Sequence, residues 1–110
     1  MLLTQKHCVP CEGNVPPLTI EQTKEYLSHV SGWGVAENGL SISKEFSFKD
    51  FAKTIEFVNK IAEVAEAEAH HPDLQVSYGK IRVELTTHAI GGLSENDFIV
   101  AAKIDELQQK

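Results

Sequence analysis

Three histidines, His70, His71 and His88, are the residues of this 110-residue chain best suited to proton transfer. Histidine changes charge near neutral pH, so it can act as a general acid or a general base. Glu66 lies four residues before His70, which on one helix would put its carboxylate beside the imidazole. This carboxylate and the negative end of the helix would favour protonated His70, whereas burial would oppose it. Three converging histidines indicate an acid–base site, although a single histidine of this kind is more often a solvated chain end.

A metal site is the alternative for the same side chains. Three histidines and a carboxylate form an acceptable zinc ligand set, but adjacent histidines seldom point to one ion, and no helical His-x-x-x-His pair is present. We therefore expect no metal. Cys8-x-x-Cys11, preceded by His7, is a second candidate for metal or redox chemistry. It lacks four ligands and the strand–helix context of a thioredoxin-like motif, so we interpret it as part of an irregular arm.

A single domain over residues 18–110 is predicted, preceded by an irregular N-terminal arm over residues 1–17. The arm is rich in proline and glycine and shows no apolar period. A chain of this size can bury about two-thirds of its extended surface, so it needs neither a disulfide nor a metal to fold.

The longest predicted helix begins at Phe48 and ends near His70, because Pro72 disfavours helical geometry at His71. Its apolar residues recur every three or four positions and predict one continuous buried seam. This seam consists of Phe48, Phe51, Ile55, Val58, Ala62, Ala65 and Ala69.

Two shorter amphipathic helices are predicted on either side of it. The first begins at Thr19, a favourable N-cap, and ends at Gly32. The last begins at Ser94, and Asp97 three residues later is interpreted as an ordinary first-turn carboxylate. We interpret Trp33 as a core residue.

Alternating apolar residues between these helices predict two β-hairpins, the first with Asn38-Gly39 at its tip. The simplest arrangement is one four-stranded antiparallel sheet from two hairpins with three helices packed on one face. The predicted fold is therefore α+β, in the order α-β-β-α-β-β-α.

The second hairpin is predicted to bring the histidines together. With Gly79 and Lys80 as its two loop residues, counting outward along the strands places His71 directly opposite His88. A one-residue bulge would remove this pairing, so the prediction depends on the register.

The composition is that of a soluble globular domain, with 42% apolar and 24% charged residues. A formal net charge of -6 without a basic cluster argues against nucleic-acid binding, because the phosphate backbone would repel the chain. No stretch approaches the roughly 20 apolar residues that cross a bilayer, and the N-terminus lacks the apolar run of a signal peptide. We expect a cytoplasmic protein that binds neither nucleic acid nor membrane.

A set of ordered motifs runs through most of the chain. These motifs are Leu18-Thr19, Gly32-Trp33, Phe46-Ser47-Phe48-Lys49-Asp50-Phe51, Glu66-Ala67-Glu68-Ala69-His70-His71-Pro72-Asp73, Tyr78, Thr86-Thr87-His88, Gly91-Gly92-Leu93-Ser94 and Asp97. Together they resemble the pterin-4a-carbinolamine dehydratase family over roughly residues 18–107. The specific part is His-His-Pro followed by the later histidine and aspartate.

The resemblance implies a small α+β enzyme that removes water from 4a-hydroxytetrahydropterin to give quinonoid dihydropterin. It implies no metal or cofactor, and assembly into homodimers or homotetramers. It assigns catalysis to His70, His71 and His88, with the first two as candidate acids toward the hydroxyl. By position it assigns substrate binding to Glu66, Pro72, Asp73, Thr87 and Ala89.

An interaction protein is the rival interpretation, because the same fold serves in animals as a dimerisation partner of a transcription factor and in photosynthetic organisms as an assembly factor. The retained Glu66 and histidines favour the enzyme. Two positions depart from the family pattern: Leu74 stands where animal members have tryptophan, and Ile90 replaces a small or cysteine side chain. Both departures concern the shape of the pocket.

Overall fold

The computed structural model describes residues 3–8 and 16–108. Its helices are α1 (Ile20–Leu27), α2 (Phe51–Glu68) and α3 (Glu95–Gln108), and its strands are β1 (Gly34–Val35), β2 (Ile42–Ser47), β3 (Asp73–Ser77) and β4 (Lys80–Leu85). Short 3-10 turns form at Leu3–Gln5 and His88–Ile90. The predicted order of helices and strands is confirmed.

The four strands form one antiparallel sheet in the order β1-β2-β4-β3. Alternate residues of the central strand β4, namely Ile81, Val83 and Leu85, are fully buried. On β2, the ring of Phe46 packs against Phe57 of α2, with ring centroids 5.1 Å apart. The sheet and the helices therefore share one core, and the predicted α+β architecture is confirmed.

Helix α2 begins later than predicted, and the face that it buries is rotated from the predicted face. Asp50 is its N-cap and accepts a hydrogen bond from the Lys53 N–H at 2.8 Å, so Phe48 stays outside the helix. Phe51, Ala62 and Ala69 of the predicted seam are exposed, which makes that seam wrong. The buried residues of α2 are Thr54, Phe57, Ile61, Ala65 and Glu68.

Thr54 is a polar residue on the buried face of α2, and its hydrogen bonds explain why it can lie there. It is fully buried, and its hydroxyl lies 2.8 Å from the Asp50 carbonyl and 2.9 Å from the Tyr78 carbonyl. A buried hydroxyl is tolerated when it is hydrogen-bonded, and here the partner belongs to the β3–β4 hairpin. Apolar spacing alone does not reveal a polar residue on the core face.

Helix α2 ends at Ala69, which adopts the left-handed conformation with φ 52° and ψ 38°. The His70 N–H bonds back to the Ala65 carbonyl at 3.2 Å, which is the long hydrogen bond of a Schellman motif. The conformation costs a non-glycine residue about 1–2 kcal/mol. It takes His70 off the helical path and directs the chain into β3.

The second hairpin has a register that differs from the predicted one by two residues. Its loop is Tyr78-Gly79, and Leu74 pairs with Val83. The predicted Gly79-Lys80 loop is therefore wrong, and so is the direct opposition of His71 and His88 that followed from it. A shift of two residues leaves every side chain on its predicted face of the sheet.

A close approach of Gly79 to Phe48 selects this loop. A Cβ atom on Gly79 would lie 2.9 Å from the Phe48 carbonyl oxygen, and the Gly79 carbonyl accepts from the Phe48 N–H at 2.7 Å. Only glycine fits there without a backbone shift. The register is thus set by a tertiary contact rather than by the hairpin itself.

The remaining helices differ from prediction in length and burial. Thr19 and Gln22 form a capping box at the start of α1, but the helix ends at Leu27 rather than at Gly32. The N-terminal half of α3 is buried on nearly all sides, because α2 packs against the helix as do α1 and the Leu3–Gln5 turn. Residues 9–15 of the predicted arm, including Cys11, lie outside the described residues.

Trp33 is a core residue, as predicted, and is tied to the far end of α3. Its Nε1–H donates to the Asp105 carboxylate at 3.1 Å. Lys44 Nζ lies 2.7 Å from the same carboxylate, and both charged side chains are largely buried. This cluster secures the segment between α1 and β2 to α3.

Candidate active site

A pocket of about 580 Å³ opens where α2 ends, where the chain leaves β4 and where α3 begins. Five of the eight predicted site residues line it, namely His70, His71, Thr87, His88 and Ala89. The other lining residues are Cys8, Ala67, Glu68, Ala69, Thr86 and Asn96. The three histidines therefore share one pocket although the register that predicted their meeting is wrong.

His70 and Asp97 form a buried pair. His70 Nε2 lies 2.6 Å from Asp97 Oδ1, and the two side chains are 12% and 0% exposed. Asp97 Oδ2 accepts from the Thr87 hydroxyl at 2.8 Å and from the Ser94 N–H at 3.0 Å. An ionised carboxylate only accepts hydrogen bonds, so the contact with Asp97 Oδ1 assigns a proton to His70 Nε2. Nδ1 is then the ring nitrogen that Asp97 does not engage.

The start of α3 holds Asp97 in this place. The Asp97 carboxylate reaches back to the Ser94 N–H, while the Ser94 hydroxyl accepts from the Asn96 N–H at 3.2 Å. This reciprocal pattern resembles a capping box, which satisfies N–H groups that the helix leaves without partners. Asp97 therefore caps α3 with one oxygen and holds His70 with the other.

His71 and Glu66 form an exposed pair. His71 Nε2 lies 2.5 Å from Glu66 Oε2, and the side chains are 60% and 76% exposed. The predicted contact between Glu66 and His70 is therefore wrong. Because Ala69 is left-handed, His70 leaves the helical face that Glu66 occupies, and His71 takes the place beside the carboxylate.

His88 is the first residue of the 3-10 turn after β4, and it is exposed. In the part of the chain that the structure describes, its ring makes no hydrogen bond or ion pair. The preceding residue, Thr87, is buried and bonds to Ser94 and Asp97. Two neighbouring residues after β4 thus have different surroundings: Thr87 belongs to the Asp97 network, and His88 lies at the pocket surface.

Three residues predicted to bind substrate, Glu66, Pro72 and Asp73, are not among those that line the pocket. Pro72 is half-buried in the connection from His71 to β3. Asp73 is exposed as the first residue of β3, where it pairs with Glu84. Their assignment to binding stays a prediction.

Glu68 and Cys8 line the pocket although neither was among the predicted catalytic or substrate-binding residues. Burial alone would raise the pKa of Glu68, but hydrogen bonds from Lys103, the Cys8 N–H and His7 outweigh burial and lower that pKa to about 2. Burial and the charge of Glu68 raise the pKa of the Cys8 thiol to about 12. No local spacing links residues so far apart in sequence, so this contact has no sequence signal.

Within residues 3–8 and 16–108, no three His, Cys, Asp or Glu side chains form a group that could hold a metal ion. Cys11 falls outside these ranges, so the Cys8-x-x-Cys11 hypothesis is not tested by the structure. In the same ranges no helix combines the length and the apolar character needed to cross a membrane.

The family model for pterin 4 alpha carbinolamine dehydratase matches residues 16–107. This chain belongs to the pterin-4a-carbinolamine dehydratase family. The matched range contains His70, His71, His88 and Asp97, so the resemblance drawn from the sequence motifs is confirmed.

Curated relatives of the family match nearly the whole chain. A protein of Nitrosospira multiformis is 53% identical over 107 residues, which is 97% of this chain and 93% of the relative. A protein of Nitrosomonas europaea is 55% identical over 106 residues, or 96% and 92% of the two chains. Both relatives have the provisional name pterin-4-alpha-carbinolamine dehydratase.

Solved structures of a pterin dehydratase and of a dehydratase-like protein share the fold. The crystal structure of a transcriptional coactivator/pterin dehydratase from Brucella melitensis has a TM-score of 0.79 and 32% identity, and the match covers 83% of this chain and 97% of that one. A pterin dehydratase-like protein identified as a RuBisCO assembly factor in the α-carboxysome has a TM-score of 0.61 and 23% identity, with 69% and 88% covered. The second likeness shows the fold alone.

Proposed function

We propose that this family member is a 4a-hydroxytetrahydropterin dehydratase that works by histidine acid–base catalysis. The observation that carries the proposal is the buried His70–Asp97 pair in a pocket shared with His71 and His88. The family model and the names of the relatives support a pterin as the substrate class.

The proposed reaction removes one water molecule from the substrate. The C4a–O bond breaks, and the hydroxyl group leaves as water after it receives a proton. N5 loses its proton, and a C4a=N5 double bond forms to give quinonoid dihydropterin. One proton is delivered and one is taken away, so the enzyme must supply an acid and a base near neutral pH. Histidine meets both needs.

His70 is the proposed proton donor to the hydroxyl group. Asp97 accepts from Nε2–H, so it fixes both the orientation and the tautomer of the ring, and its charge stabilises the imidazolium form. The proton on Nδ1 of that imidazolium is the one available to the substrate. Because Asp97 is itself held by Thr87 and Ser94, the whole pair is fixed before the substrate arrives.

His71 and His88 take the remaining proton-transfer roles in this proposal. His71, paired with Glu66 at the surface, is a second candidate donor toward the hydroxyl and exchanges protons with solvent. His88 is proposed to accept the N5 proton, because neither of its ring nitrogens has a partner among the described residues. The base and the buried acid thus come from different elements of the fold.

The pocket supports binding of a bicyclic ring. Its volume of about 580 Å³ falls within the roughly 300–1,000 Å³ range of small-molecule sites. Thr87 and Ala89 line it directly, and we propose that Glu66, Pro72 and Asp73 complete the pterin site at its edge. A homodimer or homotetramer and a cytoplasmic location stay predictions of the sequence.

The first experiment measures, by absorbance, how fast enzymatically generated 4a-hydroxytetrahydropterin loses water. We expect clear acceleration by the wild type and a fall of about 10² for His88→Ala. His29→Ala is the matched control, because His29 lies beside α1 and outside the pocket, and it should keep the wild-type rate.

The same assay separates the enzyme from a protein that only binds partners. If the wild type does not accelerate the reaction, the dehydratase proposal is refuted and a non-catalytic dimerisation or assembly role becomes the leading candidate. A partner protein has no chemical need for three titratable side chains in one pocket, and this favours the enzyme.

A further inference from the structure

Glu68 is a buried carboxylate that the proposed reaction does not use. It is the last residue of α2, two residues before His70, and its side chain is only 4% exposed. A negative charge is unfavourable at the C-terminal end of a helix, so this position needs specific partners. Lys103 Nζ lies 2.5 Å from Oε2, and the Cys8 N–H donates to Oε1 at 2.8 Å.

The N-terminal segment Leu3–Cys8 is attached to the body of the protein at both of its ends. At the first end, Leu3 is 3% exposed and belongs to the core. Between the ends, Lys6 Nζ lies 2.6 Å from Glu95 Oε2 in the first turn of α3. At the second end, Glu68 holds the Cys8 backbone. The segment therefore lies against α3 and reaches the end of α2.

Cys8 brings this segment to the pocket. Its thiol donates to the Asn96 carbonyl at 3.6 Å, and Asn96 directly precedes Asp97. Cys8, Glu68 and Asn96 all line the same pocket as His70. The N-terminal segment thus contacts both elements that hold the buried His70–Asp97 pair.

We propose that the segment Leu3–Cys8, held in place by Glu68, forms one wall of the pterin pocket and sets how tightly the pterin binds. Glu68 is a positioning residue in this proposal, and Cys8 is the residue of the wall that touches the substrate. The inference rests on the proposed function, because it takes a pterin as the occupant. The segment lies before residue 16, where the family match begins.

The chemistry of Cys8 suits such a wall. With its pKa raised to about 12, the thiol stays neutral at physiological pH and is a poor nucleophile. A neutral, polarisable sulfur packs well against a heterocyclic ring. Cys8 is therefore suited to contact the ring and unsuited to react with it.

The first test measures alkylation of Cys8 by iodoacetamide in a Cys11→Ser background, where Cys8 is the only thiol. We expect slow alkylation in this background and slower alkylation still with saturating 7,8-dihydrobiopterin. Glu68→Ala should speed alkylation about tenfold. It removes the charged acceptor that holds the Cys8 N–H, which releases the thiol from the wall, and it removes a charge that raises the thiol pKa. Glu68→Gln keeps an acceptor oxygen for the Cys8 N–H but removes the charge that helps to raise the thiol pKa, so its alkylation rate should lie between those of the parent and Glu68→Ala.

The second test separates binding from turnover in otherwise wild-type protein. Glu68→Ala should raise KM about tenfold while kcat changes little, since it loosens a wall rather than a proton donor. Glu63→Ala is the matched control, because Glu63 is exposed on the same helix, and it should leave KM and kcat unchanged. Where Glu68→Ala fails to fold because Lys103 loses its partner, Glu68→Ala combined with Lys103→Met removes both charges.

Two results would overturn the inference. One is a Cys8 alkylation rate that 7,8-dihydrobiopterin does not change, which would mean that the ring does not reach the segment. The other is a KM that Glu68→Ala leaves at the wild-type value. The alkylation rates do not require turnover, so an inactive wild type would refute the proposed function while the contact between Glu68 and the segment is still measured.

Discussion

Adjacent residues of this chain build two histidine–carboxylate pairs in opposite surroundings. In the buried pair, the His70 and Asp97 side chains are 12% and 0% exposed. In the exposed pair, the His71 and Glu66 side chains are 60% and 76% exposed. Each pair joins a histidine Nε2 to a carboxylate oxygen, so the main difference between the pairs lies in burial and in what holds the carboxylate.

Among the described residues, the buried carboxylate has further hydrogen-bond donors and the exposed carboxylate has only His71. Asp97 has further donors in Thr87 and Ser94, and a low-dielectric environment strengthens its hold on His70. Exposed ion pairs such as His71–Glu66 are screened by water and contribute about 0–1 kcal/mol. The comparison teaches that residue types alone do not show how much each histidine contributes to the rate. The surroundings decide which imidazole is held in a fixed orientation.

The largest expected difference is between His70→Ala and His71→Ala. We expect kcat/KM of the dehydration to fall about 10³-fold for His70→Ala and about 10-fold for His71→Ala, because only the first removes a pre-oriented acid. Steady-state rates with enzymatically generated substrate provide the measurement. Equal losses in the two variants would show that burial of the pair is irrelevant to catalysis.

Asp97→Asn tests whether the buried carboxylate works through His70. We expect about a 10²-fold fall in kcat, because an amide does not fix the same tautomer or stabilise the imidazolium. Asp105→Asn is the control, since Asp105 is a largely buried carboxylate on the same helix that bonds to Trp33 and Lys44. It should lower the melting temperature and leave kcat near the wild-type value. A similar kcat loss in both variants would point to a general disturbance of α3.

Glu68 extends the contrast between buried and exposed carboxylates to stability. Its pKa is lowered to about 2 from an ordinary value of 4.5. The stabilisation is therefore fully present above about pH 4.5 and is lost as the pH falls toward 2, on the order of 3 kcal/mol in total. Urea unfolding of wild type and Glu68→Gln between these pH values should show a shallower pH dependence for the variant. Glu63→Gln, at an exposed site, should follow the wild type.

Ala69→Gly tests the residue that separates the two pairs. We expect the variant to gain about 0.5–1 kcal/mol in unfolding free energy, because glycine adopts the left-handed conformation without the steric cost. Ala62→Gly, in the exposed interior of α2, should instead lose about 1 kcal/mol. Chemical denaturation gives both values. A loss at both positions would mean that the left-handed turn at Ala69 carries no strain.

The elements of the fold could be predicted where the signal is local. Thr19 caps α1, and Pro72 lies just beyond the end of α2, as the sequence indicates. The buried face of α2 could not be predicted, because Thr54 and Glu68 are polar residues that tertiary partners satisfy. Apolar periodicity alone therefore predicts the adjacent face of α2, several residues of which are exposed.

The candidate site was predictable as a set of residues and not as an arrangement. The histidines were found from their types and order, but their partners were assigned incorrectly or missed. The contact of His70 with Asp97 requires a left-handed alanine at the end of α2 and a cap at the start of α3. An alanine in a sequence does not indicate the left-handed conformation. The capping pattern of Ser94 and Asp97 does not indicate that the other oxygen of Asp97 contacts His70.

The indole held by Asp105 gives this molecule a built-in optical probe. Trp33 is the only tryptophan of the chain, and it is buried with its Nε1–H bonded to Asp105. Asp105 follows Asp97 by eight residues, about 12 Å along α3. The emission wavelength therefore reports the folding of the whole domain from the end of α3 opposite the pocket. Unfolding should shift it to the red, while a pterin that fills the pocket should leave it in place.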